Sequence, residues 1–347
     1  MKILGIETSC DETAAAVVKD GRKILTNVVA SSMELHQETG GIIPEVAARE
    51  QLKYIIPVIK KAIEKSEIKK EKLDAIAVTV GPGLIGSLLV GVETAKTLAF
   101  AWQKPLIPIN HLQAHLYANW LHNEKPPEFP ALGLVVSGGH TDLVLIKNHQ
   151  QIKWLGGTRD DAAGECFDKC SRLLGLGYPG GPAISAAAEK FKIKNLKLKI
   201  KLPRPMIHED NFDFSFSGLK TAVLRQVSTP SSTQGAQDKL SKEKKVELAY
   251  EIQEAITDVL VAKTKKAAEK YKVKSVLLAG GVTANPRLRK KFELSITNSK
   301  LFIPAPTLCT DNATFVAACA YFNFHPIPLQ QIYADSSLEI EEVIKLR

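Results

Sequence analysis

The chain has 347 residues, of which 45% are hydrophobic and 24% are charged, so it can bury a sizeable core and is neither fibrous nor disordered. Forty-six Lys and Arg residues against 37 Asp and Glu give a formal net charge of +9, which favours an anionic partner such as nucleic acid or a membrane surface. The five cysteines contain no CxxC pair, and no run approaches the ~18 apolar residues of a membrane span, so we expect a reduced, cytoplasmic protein.

In chain order, residues 2–31 predict three strands, because apolar and β-branched runs are cut by polar turns. Residues 44–68 carry apolar side chains at helical spacing and predict an amphipathic helix. A buried strand then runs into a glycine loop at 73–86, and a helix is predicted at 87–103. The short strand 105–110 leads into the next helix.

That helix carries two histidines, His111 and His115, at i and i+4, so both side chains should share one face. A pair of helical histidines is as often structural as metal-binding, and it needs a third ligand to become a site. The best donor is Asp311, at the start of a predicted helix near the end of the chain. Two histidines and a carboxylate suit Fe(II) or Zn(II). The glutamate of a zinc-peptidase HExxH motif is missing.

After a proline-rich connection at 125–130, the pattern restarts, since residues 131–146 repeat the strand, polar turn and strand of residues 2–18. The repeat predicts two duplicated α/β lobes whose turns face one cleft. We place the first lobe at 1–128 and the second at 129–310. The predicted additions are a helix near 311–324 that completes the first lobe, a mobile excursion near 227–245, and a tail at 325–347.

Four turns carry candidate chemistry. The first contains Glu7, Asp11 and Glu12, which could bind a metal or act as a base, although a solvated hairpin tip is the commoner explanation of such a turn. The others are glycine pairs in 136–141, 179–182 and 279–285, which let backbone amides approach an anion. No P-loop or GxGxxG motif accompanies them.

Lysines alternate with apolar residues between 189 and 205, which predicts a strand with a lysine face. In a chain of this charge, a solvated surface and a contact with a phosphate backbone are about equally expected. The candidate contacts are Lys192, Lys194, Lys197, Lys199 and Lys201. Cys166 and Cys170 also lie at i and i+4, but core packing is favoured over metal binding there.

Eleven blocks between residues 7 and 315 together resemble the tRNA threonylcarbamoyladenosine transferases, the TsaD family once called O-sialoglycoprotein endopeptidases. In order they are ETSCDET, GGIIPEVAAR, GPGLIGSLLVG, NHLQAHLYA, LVVSGGHTDLV, DDAAGECFDK, LGYPGGP, PRPM, DFSFSGLKT, LLAGGVTAN and CTDNATF. Two positions depart from the family pattern: Gln51, where histidine is common, and Ser185, where aspartate is frequent.

The resemblance implies an actin-like and Hsp70-like (ASKHA) two-lobed fold with the active site between the lobes. It implies transfer of the threonylcarbamoyl group from threonylcarbamoyl-adenylate to the exocyclic amine of the adenosine next to the anticodon, tRNA position 37, in tRNAs that read codons beginning with A. It also implies one metal ion, usually iron, held by His111, His115 and Asp311.

By the same resemblance, a set of residues around the cleft binds the adenylate. These residues are Val135, Val136, Ser137, Gly138, Gly139, Asp168, Gly181 and Asn285. Asp11, Glu12 and His140 are the candidates for accepting the amine proton, and the residues alone do not rank them.

The family resemblance implies tRNA, a paralogous TsaB-like protein, a TsaE-like small ATPase and a threonylcarbamoyl-adenylate synthase as partners in the bacterial branch, to which the wording of the blocks is closer. Two other classes of function stay open from the sequence. A metallopeptidase would use the histidine pair but lacks its base, and an idle scaffold would not need intact metal and glycine motifs.

Overall fold

The computed structural model describes residues 1–39, 41–193, 198–228 and 240–342. Strands and helices alternate in both halves of this part, so the protein is α/β, as predicted. Its strands are β1 (Lys2–Glu7), β2 (Glu12–Lys19), β3 (Lys23–Ser31), β4 (Ala75–Gly81), β5 (Leu106–Asn110), β6 (Ala131–Val136), β7 (Thr141–Asn148), β8 (Gln151–Gly157), β9 (Ser275–Ala279) and β10 (Lys300–Phe302). Its helices are α1 (Met33–Thr39), α2 (Pro44–Ser66), α3 (Ile85–Trp102), α4 (His111–Tyr117), α5 (Ala163–Leu174), α6 (Gly180–Ile193), α7 (Ser217–Ser228), α8 (Lys242–Tyr271), α9 (Pro286–Ser295) and α10 (Ala313–Phe322). Within these residues, no helix is both long enough and apolar enough to cross a lipid bilayer.

Two five-stranded sheets share one internal order. The first runs β3-β2-β1-β4-β5 and the second β8-β7-β6-β9-β10. In each sheet the first three strands form an antiparallel meander, and the fourth pairs in parallel with the first. The matching topology confirms the predicted duplication and the two-lobed, actin-like and Hsp70-like fold.

A buried apolar cluster joins the two sheets. It includes Ile3 of β1 and Ala77 of β4 from the first sheet, and Leu277 of β9 from the second. Leu116 of α4 and Phe315 of α10 belong to the same cluster, because both helices pack between the sheets. The two sheets therefore share part of one core.

Helix α10 comes unusually close to β1. A Cβ atom on Gly5 would lie 2.3 Å from the carbonyl oxygen of Ala313, so this approach requires glycine. The contact places the start of α10 beside β1, which ends at Glu7. Residues from the far end of the chain thereby meet the first turn.

The strand predicted between residues 189 and 205 is wrong in its described part. Residues 198–204 have no strand partner, and α8 supplies acceptors for their amides instead. The N–H of Ile200 donates to Glu247 at 2.7 Å, and that of Leu202 donates to Glu251 at 3.0 Å. The backbone donors are satisfied by carboxylates rather than by a neighbouring strand.

Most of the excursion predicted near 227–245 lies outside the described residues, which omit 229–239. Helix α8 begins at Lys242, because the side chain of Ser241 accepts the N–H of Lys244 and caps it. This start is earlier than the apolar pattern of the sequence suggests. The lobe boundaries themselves stay a prediction.

Candidate metal centre and interlobe cleft

Helix α4 presents the histidine pair. The side-chain oxygen of Asn110 accepts the N–H groups of Leu112 and Gln113 at 2.9 and 3.2 Å, which fixes the first turn of the helix. His111 and His115 lie one turn apart with ring centroids separated by 4.6 Å, and both are buried. The i and i+4 spacing thus gives the shared face expected from the sequence.

Asp311 reaches the pair from the other end of the chain. Asn312 caps α10 by accepting the N–H of Thr314, so Asp311 stands just before the helix. Its Oδ1 atom lies 3.1 Å from Nε2 of His115 and 3.7 Å from Nε2 of His111. One ligand atom from each of the three residues lies within 4.8 Å of the others.

The donor set fits a divalent metal ion. Within the described part of the chain, Nδ1 of buried His115 has no hydrogen-bond partner and Nε2 faces only the Asp311 carboxylate, although buried polar atoms are normally satisfied. A metal ion would take up one of these nitrogens. Two imidazoles and one carboxylate with open positions suit Fe(II) and Zn(II), and the set does not choose between them.

Glu7, at the end of β1, orients His111. Its Oε2 atom lies 3.1 Å from Nδ1 of His111 and accepts the hydroxyl of Thr79 at 2.5 Å, while Oε1 accepts the N–H of Ser9 at 2.6 Å. A proton held on Nδ1 by this carboxylate leaves Nε2 free to face Asp311. Sequence reasoning counted Glu7 among possible metal ligands or bases, but it missed this orienting role.

In the absence of a cation, the ionised carboxylates of Glu7 and Asp311 face a single cationic imidazole, so the cluster keeps one uncompensated negative charge. Burial acts to raise the pKa of both Glu7 and Asp311, but the nearby charge of His111 has the larger effect. The net result is that the pKa of Glu7 is lowered and that of Asp311 is lowered to about 2. Burial acts to lower the pKa of His111, yet Glu7 and Asp311 raise it to about 9. Burial and His111 lower the pKa of His115. At neutral pH the imidazole of His111 is therefore protonated and cationic, and that of His115 is neutral.

Gln51 of α2 holds the turn that follows β1. Its side-chain Nε2 faces three carbonyl oxygens, at 2.9 Å from Cys10, 3.1 Å from Glu12 and 3.3 Å from Thr8. Gln51 is buried, so these contacts are shielded from water. The departure from the family pattern at this position thus falls on the residue that fixes Asp11 and Glu12 in place.

The candidate bases differ in their charge. Burial, with the charges of Asp311 and Asp11, raises the pKa of Glu12 to about 10, so Glu12 is protonated at neutral pH in the metal-free protein. Burial and the proximity of His111 lower the pKa of His140 to about 4, so its imidazole is neutral. The electrostatic influence of His111 on His140 indicates that the turn between β6 and β7 faces the metal centre.

The turn between β6 and β7 is open to a ligand. The N–H of Ser137 donates to the carbonyl of His140 at 2.9 Å, and the N–H of His140 donates to the Ser137 hydroxyl at 3.2 Å. A Cβ atom on Gly138 or Gly139 would meet nothing within 4 Å. The backbone of this turn is therefore accessible.

Three of the predicted adenylate residues have side chains that are already engaged. Val135 and Val136 are fully buried in β6. The side-chain oxygen of Asn285 caps α9, and its Nδ2 donates to Gln253 at 3.0 Å. The side chains of the two valines are therefore closed to a ligand, whereas the amide of Asn285 keeps a second Nδ2 hydrogen to donate.

Asp168 holds the glycine pair at the start of α6. Its Oδ1 accepts the N–H of Gly180 at 2.6 Å, and a Cβ atom on Gly180 would lie 2.4 Å from the Cα atom of Asp168. Gly181, by contrast, faces open space. Burial raises the pKa of Asp168.

The lysine candidates are described only in part. Lys199 and Lys201 are exposed, whereas Lys194, Lys197 and the side chain of Lys192 lie outside the described residues. Cys166 and Cys170 are buried in the core of the second lobe with their sulfur atoms 3.9 Å apart, in line with the packing role favoured from the sequence.

Comparison with known proteins adds to this geometry. The sequence model of the TsaD family, described as tRNA N6-adenosine threonylcarbamoyltransferase, matches residues 23–318. The protein of that name from Thermomicrobium roseum is 48% identical over 364 aligned positions, which cover 100% of this chain and 97% of the relative. Its counterpart from Dehalococcoides mccartyi is 52% identical over 325 positions, which cover 93% of this chain and 94% of the relative.

One solved structure shows the same fold at low identity. The crystal structure of component A of the (R)-2-hydroxyglutaryl-CoA dehydratase of Acidaminococcus fermentans is similar with a TM-score of 0.52 and 16% identity. The match covers 92% of this chain and 98% of that one. It supports the two-lobed architecture and nothing about chemistry.

We predict that Glu7→Gln weakens divalent-metal binding about 10- to 100-fold, because a neutral amide orients the His111 imidazole less firmly than a carboxylate does. Calorimetric titration of metal-free protein with Zn²⁺ measures the effect. Glu64→Gln, which changes an exposed glutamate of α2, is the matched control and should bind like wild type. Equal affinity in both variants would contradict the orienting role.

Proposed function

Because the chain belongs to the TsaD family of tRNA N6-adenosine threonylcarbamoyltransferases, we propose that it uses threonylcarbamoyl-adenylate as donor and modifies the adenosine at tRNA position 37. We extend the proposal to tRNAs that read codons beginning with A. The observation that supports it best is the group formed by buried His111 and His115 with half-buried Asp311, beside an open glycine turn.

The donor site in this proposal consists largely of backbone. Gly138, Gly139 and Gly181 leave space for a close approach of the adenylate, and Ser137 and Asp168 hold the two glycine turns in position. Contacts from Val135 and Val136 would be made by their peptide groups, and Asn285 can also donate from its side-chain amide. Since an acyl-adenylate is already activated, the protein has mainly to orient it, exclude water and stabilise the developing oxyanion.

His111, His115 and Asp311 would hold one divalent cation, with iron favoured and zinc as the alternative. When bound, it supplies Lewis acidity toward the carbamoyl and phosphate oxygens. Glu7 keeps Nε2 of His111 directed at this position through its contact with Nδ1. The half-buried carboxylate of Asp311 offers the negative charge that makes cation binding favourable.

Asp11, Glu12 and His140 are our candidates for the group that takes the proton of the attacking amine. Neutral His140 can accept a proton at neutral pH, whereas Glu12 is already protonated in the metal-free protein. We place Asp11 first, because Gln51 fixes the turn that carries it at the edge of the metal centre.

The partners follow from the family and from the surface. Large apolar side chains are exposed on α2 and α3, among them Leu52, Ile56, Leu89 and Phe100. Such a patch suits a protein interface, so we propose that the TsaB-like paralogue docks there. The TsaE-like ATPase, the adenylate synthase and a cytoplasmic location complete the proposal, and tRNA is the acceptor.

We predict that wild-type protein, incubated with unmodified tRNA, threonylcarbamoyl-adenylate and the two proposed partners, forms threonylcarbamoyladenosine, and that Asp311→Ala abolishes it. The loss is expected because the variant lacks the only carboxylate of the ligand set. Nucleoside mass spectrometry detects the product, and circular dichroism verifies folding of the variant. No product from folded, metal-loaded wild type under any partner combination would contradict the proposed function.

For the base, Asp11→Ala should lower the transfer rate at least 100-fold, in keeping with the 10²- to 10⁴-fold contribution usual for a positioned base. Single-turnover transfer under saturating donor measures it. Asp210→Ala removes a fully solvated carboxylate of the second lobe and serves as control. A wild-type rate from folded Asp11→Ala would eliminate Asp11 and leave Glu12 and His140.

For the lysine segment, replacing Lys192, Lys194, Lys197, Lys199 and Lys201 with glutamine should flatten the salt dependence of tRNA binding. The slope of log K against log salt is negative. If the tRNA helices behave like B-DNA, each phosphate contact that is lost makes this slope less steep by about 0.9. Filter-binding titrations across a range of salt concentrations measure this slope. A matched set of exposed lysines from the first lobe is Lys19, Lys23, Lys69, Lys70 and Lys72. An unchanged, steep slope after replacement of the first set would refute the assignment.

A further inference from the structure

A cavity of about 500 Å³ lies beside the metal centre, within the size range of small-ligand sites. Leu112, next to His111 in α4, and His140, from the turn of the second lobe, both line it. Pro82 and Trp154 contribute apolar walls from opposite lobes. The cavity therefore adjoins the group of residues that we assign to the reaction.

Residues 336–341 line this cavity, and together with Asp335 we call them the strap. The strap is firmly built into both lobes. The N–H of Asp335 donates to the carbonyl of Val80 at 2.7 Å, and the side chain of Gln113 donates to the carbonyl of Ile340 at 2.8 Å. On the second lobe, the backbone N–H of Trp154 donates to the Glu341 carboxylate at 3.0 Å.

Apolar side chains anchor the strap further. Leu338 and Ile340 are buried in two different core clusters, while Glu339 between them is exposed. The strap also lies beyond the matched part of the family sequence model, which ends at residue 318. Its role is therefore not inherited from that match.

The charge of the residues that line the cavity limits which ligands can bind there. Among the described residues that line the cavity are three carboxylates, of Asp142, Glu339 and Glu341, and no lysine or arginine. A phosphate or carboxylate would be repelled there, whereas a neutral ring with an amine donor would find acceptors. The lining thus disfavours the anionic parts of the donor and of the tRNA backbone.

Trp154 is placed to stack against such a ring. Trp154 is 41% exposed. Its indole N–H donates to the Asp142 carboxylate at 3.0 Å, which fixes the orientation of the ring. A register shift between β7 and β8 lies at this point, opposite Leu143 and Val144. Such bulges commonly redirect a side chain next to a functional site.

The neighbouring groove, unlike the cavity, is lined by lysines as well as by carboxylates. Lys147 and Lys153 are exposed along its wall, which also includes Glu342 and the Glu341 that it shares with the cavity. Lysines suit a polyanionic backbone, while the acidic cavity suits an uncharged base.

From this juxtaposition we propose that the cavity behind the strap is the subsite of the acceptor adenine, with Trp154 as its stacking platform. This inference rests on the proposed function, since the acceptor must be an adenosine extruded from its stack to bring its amine into the cleft. The flanking phosphates run over Lys147 and Lys153.

Photocrosslinking tests the subsite without requiring turnover. An anticodon stem-loop with 8-azidoadenosine at the acceptor position is irradiated with the full chain and its partners, and modified peptides are mapped by mass spectrometry. Adducts on Trp154 or the strap are expected. Adducts confined to other parts of the chain would overturn the proposal.

Kinetics of Trp154 variants give a second test. Trp154→Ala should lower kcat/KM for the stem-loop about 5- to 150-fold, the range for loss of one base stack, and Trp154→Phe should restore most of it. Binding of a non-reactive sulfamate analogue of the donor should not change. Leu294→Ala, which truncates an exposed side chain of α9, is the control.

The outcomes separate the two levels of inference. Absence of product from wild type contradicts the proposed function. Normal transfer by wild type together with an unchanged kcat/KM in Trp154→Ala overturns the adenine subsite alone.

Discussion

The close contact between α10 and β1 is the constraint on which the site depends. Gly5 lets the helix approach until its first turn lies against the strand, and Asp311 is thereby carried to the histidines of α4. Because α4 and α10 also belong to the core shared by the two sheets, the ligand set is built into the junction of the lobes. The metal centre and the packing of the lobes are parts of one structure.

This junction buries ionisable groups that are costly in isolation. Glu7 and Asp311 would each favour protonation in an apolar setting, but His111 stands between them and stabilises both charges. Among the described residues, Nδ1 of His115 is buried without a hydrogen-bond partner, a cost that a structural role alone would not explain. Local unfavourable terms of this kind are typical of functional sites.

The sequence was sufficient wherever a local period or a repeated pattern carried the information. The spacing of His111 and His115 determines one helix face, and the repeated strand, turn and strand reveals two lobes of one topology. Asp311 could be proposed because few other carboxylates stand at a helix start near the chain end, with the family resemblance as support.

Contacts that depend on the pairing of distant elements could not be predicted in this way. The role of Glu7 depends on Thr79, which only the parallel pairing of β1 with β4 brings near. The prediction from the lysine alternation was wrong, because a segment that lies along the glutamates of a helix shows the same pattern as a strand with one solvated face. The glutamate acceptors on α8 distinguish the two only when the position of that helix is known.

Gln51 has a consequence for the working range of the cleft. It holds the first turn through a carboxamide, which neither gains nor loses a proton in water near neutrality. An imidazole at this position would change from donor on one nitrogen to donor on both as the solution is acidified. With glutamine, the scaffold of the turn is chemically constant across that interval, and any acid sensitivity of the cleft must arise from the groups that it positions.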